Sequence, residues 1–414
     1  MSAKTKFRTR LQFTKPGLVF SGGATKAAAF HIGACLALRD KGFSFVGGKS
    51  EHTVPINALP YPRPKFHPYQ ISTYVGSSAG ALIVTMLAAG VTIESVINSF
   101  TDDTNFRIPG TFAAIPRLTY RDILTLAWPR ASAIWKNFQR TGILARTLES
   151  LVLKNLRLPG IFSTKGLATY LSQMLPTEHF YELKPDLFIV GTQLDHSRKI
   201  IFGRYGTEKA FDEYSQYASN VKISDAVAAS MSLPPLFVPY LIEHEYSGKK
   251  RYYIDGEIRE TLSTHVAKEN GCDLLICSYT HQPYHYKEEI GSLYHYGIAA
   301  IVVQSIYQAI EQKIYGAKKA HENKIIALNT VRDFFRERKY PEDELDILIR
   351  RLEERIDFNS KLNYLFIHPE SKDREMFFGE HFTLNTQTLQ NVVTIGYRRA
   401  MAELRKYELV PIVE

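Results

Sequence analysis

Ile71-Ser72-Thr73-Tyr74-Val75-Gly76-Ser77-Ser78-Ala79-Gly80-Ala81-Leu82-Ile83-Val84-Thr85-Met86-Leu87-Ala88-Ala89 is the stretch whose reading decides the fold. Residues 71–75 read as a short buried strand and residues 81–89 as a helix that is apolar all round. The five residues that join them, Gly76 to Gly80, match G-x-S-x-G with Ser78 at the centre. The pattern has a mechanical cause. The central serine sits on a strained strand-to-helix turn, and the small residues Gly76, Ala79 and Gly80 let that turn pack closely. Its hydroxyl is left at a helix N-terminus, where developing negative charge is favoured. A plain Gly/Ser turn that opens a helix carries the same letters, so the motif needs support from elsewhere in the chain.

Upstream, Leu18-Val19-Phe20 is a second apolar run and enters Ser21-Gly22-Gly23-Ala24-Thr25-Lys26. A helix follows over residues 27–40 and stops at Lys41-Gly42. Such a turn brings several backbone N–H groups into one small volume, suited to a phosphate or an oxyanion. It lacks G-x-x-x-x-G-K-[ST] and G-x-G-x-x-G, which argues against a P-loop and a dinucleotide turn. Downstream, Asp255-Gly256 ends a strand over residues 252–254. Alone, Asp-Gly is an ordinary turn. A nucleophile, an amide cradle and a carboxylate, each at a strand end, are together the parts that an acyl hydrolase requires.

Further strands are predicted at residues 188–192, 199–203, 274–277 and 365–367. Helices are predicted at 224–230 and 386–406, and residues 90–185 read as mainly helical. Strands alternating with helices predict an α/β fold with a largely parallel sheet covered on both faces. Residues 47–69 hold five prolines and read as an inserted loop. Residues 290–360 read as a charged helical insertion divided at Pro341, and 106–165 as a basic, aromatic helical insertion expected to serve as a lid over Ser78 or as a membrane contact.

At these residues the chain resembles the patatin-like phospholipases. Their pattern is G-G-G-x-[KR]-G, then G-x-S-x-G, then D-G-[GA], on a three-layer α/β fold with a Ser–Asp dyad in place of a triad. Gly22 to Ala27, Gly76 to Gly80 and Asp255-Gly256-Glu257 stand in that order here. Ala229-Ser230-Met231-Ser232-Leu233-Pro234-Pro235-Leu236-Phe237-Val238-Pro239 is similar to the family's A-S-x-x-x-P-x-x-F-x-P segment. The resemblance implies one domain over residues 16–408 that hydrolyses acyl esters of lipids, of phospholipase A or lysophospholipase type. It implies Ser78 as nucleophile and Asp255 as base, with Gly22, Gly23 and Ala24 as the oxyanion hole. Lys26, Gly76, Ala79, Gly80 and Gly256 would support them, with no cofactor and no metal. The chain departs from the pattern at Ala24 and Ala27, which replace glycines, and its first helix is shifted by one residue. It departs again at Glu257, which puts a second carboxyl beside Asp255. Two other readings remain. One is a non-catalytic lipid-binding or effector scaffold of the same fold; the other is a Ser–Asp–His esterase using His265 or His281.

Composition narrows the setting. Of 414 residues, 45% are hydrophobic, enough for a large core. Cys35, Cys272 and Cys277 are scattered and odd in number, which argues against a disulfide framework and for a reducing compartment. No apolar run follows the basic start, so no signal peptide is read, and the longest apolar stretch is too short for a membrane span. The expected location is cytoplasmic or at a membrane surface.

The net charge of +9 is uneven, concentrated in residues 1–15 and 106–165. Such segments point to an anionic partner, and Trp128 and Trp135 within the second suggest contact with an anionic membrane. No nucleic-acid recognition module is visible. His281, His285 and His295 lack metal-ligand spacing and read as surface or packing histidines.

Overall fold

The computed structural model describes residues 9–51, 64–100, 115–127, 159–196, 198–205, 215–234, 236–243, 248–281, 283–286, 288, 291–296, 298–356, 358–370, 373, 376 and 382–412. Trp128, Trp135 and most of the basic segment 106–165 lie outside the described residues, as does much of the proline-rich loop.

Among the described residues, nine strands form the main sheet: β1 (Pro16–Phe20), β2 (Thr73–Ser77), β3 (Asp186–Gln193), β4 (Lys199–Gly203), β5 (Ser215–Ala218), β6 (Tyr240–Glu243), β7 (Lys250–Asp255), β8 (Leu274–Ser278) and β9 (Asn363–Ile367). Their order is β5-β4-β3-β2-β1-β8-β9, with β7 added to β3 and β6 to β7. From β3 through β2, β1 and β8 to β9 every neighbour is parallel. β4 and β7 both run antiparallel to β3. The principal helices are α1 (Ala24–Asp40), α2 (Ala79–Ala88), α3 (Ile223–Ser230), α4 (Ile298–Glu337), α5 (Glu342–Arg355) and α6 (Thr386–Leu404).

Successive residues of β1 serve opposite faces of the sheet, as the strand period demands. Leu18 and Phe20 join a core with Phe30 of α1, Leu82 of α2 and Val392 of α6. Val19 joins a second core with Val75, Leu275 and Cys277, covered by Val266 of the helix Thr264–Glu269 and by Ile310 and Ile314 of α4. The mainly parallel sheet is therefore the middle of three layers. α2 is apolar almost all round because it is enclosed rather than laid on a surface.

α1 and α6 meet backbone to backbone. A Cβ on Gly33 would fall on the Val393 carbonyl oxygen, and one on Gly396 on that of Phe30. Gly33→Val is therefore expected to push the helices apart at a cost of about 3 kcal/mol, read as a lowered midpoint in denaturant unfolding.

Three features depart from the expectations. α1 starts at Ala24, three residues earlier than expected, so Ala24, Thr25 and Lys26 belong to the helix rather than to the turn. Thr125–Leu126 and Phe162–Ser163 form a small antiparallel pair inside the stretch read as mainly helical. Thr9–Phe13 pairs in parallel with Tyr407–Pro411 at the other end of the chain. Of the basic start expected to meet an anionic partner, Lys4, Lys6 and Arg8 lie outside the described residues. The N–H groups of Thr14 and Lys15 donate to the Asp273 carboxylate at 2.7 and 2.8 Å, and Lys15 Nζ donates to the Asn270 carbonyl at 2.7 Å. Among the described residues, no helix is long and apolar enough to cross a membrane.

Candidate active site

β2 and β7 lie in line along the same side of β3. Ser77 at the end of β2 is opposite Val190, and Asp255 at the end of β7 is opposite Gly191, the next residue of β3. Because β2 is parallel to β3 and β7 antiparallel, their carboxyl ends run toward each other and meet. Two residues far apart in sequence are thereby brought together, close enough for the Ser78 hydroxyl to draw down the proton affinity of the Asp255 carboxyl. The meeting point is at the carboxyl edge of the parallel strands, where open α/β sheets place their ligands.

Ser78 has φ 50° and ψ −127°, a conformation that a residue with a side chain holds only when its surroundings enforce it. The surroundings here are specific. Gly76 lets α2 press on β2, since a Cβ there would be 2.6 Å from Ala81 Cα. Gly80 lets α2 press on β1, since a Cβ there would fall on the Phe20 carbonyl. The Ser78 N–H donates to the Ser230 hydroxyl at 2.8 Å, and that hydroxyl donates to the Val190 carbonyl. Ser230→Ala would leave the Ser78 N–H buried without its acceptor, a loss of about 1–3 kcal/mol. It is expected to lower kcat on a chromogenic ester about tenfold or more, with little change in KM.

Asp255 is only 1% exposed. Burial pushes its carboxyl up to about 7, against the downward pull of hydrogen bonds from the Ser78 hydroxyl and the Glu257 N–H, the latter at 2.9 Å. A base whose proton affinity lies near neutrality suits transfer of a serine proton. Its own N–H donates to the Ser232 carbonyl at 3.1 Å. Ser230 and Ser232 thus hold Ser78 and Asp255 from one short segment at the end of α3. Gly256 must lack a side chain, because a Cβ would fall on the Val190 carbonyl.

The amide cradle lies directly against Ser78: a Cβ on Gly22 would be 2.6 Å from Ser78 Cβ. The expected oxyanion hole is corrected at its first member. The Gly22 N–H donates to Glu257 Oε1 at 2.7 Å, because Glu257 reaches into space that Gly or Ala would leave empty. Gly23 and Ala24 have φ of 128° and 60° and stand at the N-terminus of α1. Their N–H groups precede the first turn, so the helix provides no carbonyl for them. The Ala79 N–H likewise heads α2 beside Ser78.

Lys26 does not touch the dyad. Its ammonium, brought down to about 7 by burial, donates to the Met376 carbonyl at 3.0 Å and ties the stretch before α6 to the head of α1. The Thr25 hydroxyl does the same with the Thr383 carbonyl at 2.9 Å. His31, which the sequence reading passed over, is a fully buried core histidine held by the Ser278 hydroxyl and the Ser21 carbonyl, both at 2.8 Å. His265 bonds Lys199 at 3.0 Å and lies 3.1 Å from a Glu260 oxygen, so it is committed elsewhere. His285 and His295 are exposed, whereas His281 is buried beside Glu257. Among the described residues no three His, Cys, Asp or Glu side chains form a group that could hold a metal ion.

Ser230, Ser232, Ser77 and Glu257 escaped the sequence reading as site residues. The alternating serines ahead of Pro234 were the available signal for two of them.

A family model described as Patatin-like phospholipase matches residues 18–268. No curated protein matches the chain. Among solved structures, the crystal structure of VipD from Legionella pneumophila is similar at 16% identity, over 98% of this chain and 72% of that chain, with a TM-score of 0.35.

Proposed function

Because the chain belongs to the patatin-like phospholipase family, whose model spans more than half of it, we propose that it is a lipid acyl hydrolase of phospholipase A or lysophospholipase type. The observation that carries this reading is the meeting of β2 and β7, which sets the Ser78 hydroxyl on a buried carboxylate at a strained turn. Ser78 Oγ attacks the ester carbonyl while Asp255 takes its proton. The N–H groups of Gly23 and Ala24, with that of Ala79 at the head of α2, receive the oxyanion. Collapse breaks the ester bond, and Asp255 returns the proton to the departing alkoxide. Water then attacks the acyl-serine, again giving a proton to Asp255; the acyl–serine bond breaks, Asp255 returns that proton to Ser78 Oγ, and the fatty acid leaves. Ser78 is 8% exposed, so the ester must come below the protein surface to react.

The basic, tryptophan-bearing segment 106–165 supports docking on an anionic lipid surface. The test is fatty-acid release from phospholipid vesicles by the full chain, Ser78→Ala and Asp255→Asn. Release by the parent alone, faster from anionic than from neutral vesicles at low salt, is the expected result. Undiminished release by Ser78→Ala would overturn the nucleophile, and equal rates on both vesicles at low salt would overturn the docking.

A further inference from the structure

Glu257 is a carboxylic acid 6% exposed, one residue beyond the glycine that follows the base, at a position where the family pattern calls for Gly or Ala. Its Oε1 accepts from the Gly22 N–H at 2.7 Å and from the Ser77 hydroxyl. Its Oε2 is buried and has no hydrogen-bond partner among the described residues. The equally buried and equally unpartnered Nδ1 of His281 lies 3.8 Å from that oxygen, and the Thr261 hydroxyl also bears on the carboxyl. Two orphaned buried polar atoms facing each other are costly unless they pair. One shared proton on Oε2, with a small rotation of the carboxyl, satisfies both.

The other end of the Gly22 peptide is held as well. Its carbonyl accepts from the Thr280 hydroxyl at 3.1 Å. In a planar trans peptide the carbonyl of Gly22 and the N–H of Gly23 point in opposite directions. Fixing the carbonyl on Thr280 therefore aims the Gly23 N–H away from Thr280, and Glu257 fixes the preceding N–H so that the loop cannot pivot. This double hold also enforces the positive φ of Gly23 and Ala24.

We propose that Glu257 is a positioning residue of the acyl-transfer site: as a neutral acid paired with His281 it clamps Gly22 and so aims the oxyanion donors at Ser78. The proposal rests on the hydrolase reading above. The titratable groups around Glu257 are Asp255 on its own segment and His281 after β8, with His31 of α1 and Tyr307 of α4 beyond the latter. Burial first, and the neighbouring Asp255 charge second, push Glu257 up to about 8. Burial brings His281 down to about 4, leaving a neutral ring able to accept. Ionisation of Asp255 near 7 switches the base on, whereas ionisation of Glu257 near 8 keeps its bonds to Gly22 and Ser77 but sets a second negative charge beside the developing oxyanion, so activity rises and then falls over a narrow range.

The experiment records kcat against pH on a soluble chromogenic ester for the full chain, Glu257→Gln and Glu257→Ala. Beside it, infrared difference spectra of parent minus Glu257→Gln look for a protonated carboxyl. Glu257→Ala is expected to lose about 100-fold in kcat with little change in KM. Glu257→Gln, which keeps an accepting oxygen for Gly22 and Ser77, is expected to restore most of it and to lack the alkaline fall. A protonated-carboxyl band should be present at neutral pH and vanish as pH rises. Wild-type kcat and pH profile in Glu257→Ala, or an unchanged alkaline limb in Glu257→Gln, would overturn the proposal. If Glu257→Ala does not fold, the Gln profile and the band decide. The band is independent of turnover: its absence at neutral pH sinks the clamp even if the chain hydrolyses esters. A parent with no turnover but with the band would instead sink the hydrolase reading.

Discussion

Ser78→Ala is expected to reduce fatty-acid release by about 10⁴-fold or more while leaving the unfolding midpoint nearly unchanged. The size follows from the role. Removing a covalent nucleophile leaves only binding and the oxyanion donors, and these cannot replace the bond that Ser78 makes to the acyl carbon. The small effect on stability follows from the backbone. Alanine at φ 50° carries the same strain as serine, and the N–H bond to Ser230 that enforces the turn is kept. The hydroxyl lost is one whose partner, Asp255, is itself costly to bury. Parallel vesicle assays and denaturant unfolding check both halves. More than about one percent residual release would mean that another side chain attacks the ester.

Asp255→Asn is expected to be nearly inactive and yet more stable than the parent above neutral pH. The direction comes from the raised proton affinity of the buried acid. A carboxyl near 3.8 when unfolded and near 7 when folded prefers to be neutral in the fold. Ionising it therefore costs nothing below about pH 4, an increasing amount between 4 and 7, and a constant amount above that, roughly 4 kcal/mol. Asparagine is neutral throughout, can still accept from the Glu257 N–H, and avoids that cost. Denaturant midpoints should coincide at about pH 4 and separate in favour of Asp255→Asn at about pH 8, while kcat falls by about 10³-fold or more. A pH-independent difference would mean that Asp255 is not the group whose ionisation the fold resists. On the proposed mechanism, the site holds a destabilising charge because the base must be ionised to act.

Ser77 and Ser230 show how the site is maintained against that charge. Neither reaches the substrate, and both act on the backbone that presents Ser78 and Gly22: Ser77 through Glu257, Ser230 through the Ser78 N–H. The role of such residues is defined by what lies across from them in the fold.

The sequence by itself determined every feature whose cause lies within one strand, turn or helix. The glycines around Ser78 announce a tight strand-to-helix turn because only small residues fit there, and the structure places α2 against β1 and β2 through those positions. The apolar runs at Leu18, Phe188 and Leu274 announce buried strands of a parallel sheet because both their faces are covered. Pro341 marks the break between α4 and α5 because it has no N–H to continue a helix. What only the tertiary structure decided depends on contacts between distant residues. The pairing of Thr9–Phe13 with Tyr407–Pro411 is one, since strands so short carry no partner signal. The reversal of β7 is another: alternation within a strand is the same in either direction, so nothing local says that its end meets β2 head on. The diversion of the Gly22 N–H to Glu257 is a third, because a carboxyl after Asp-Gly reads equally well as a solvated turn residue until sheet register buries it.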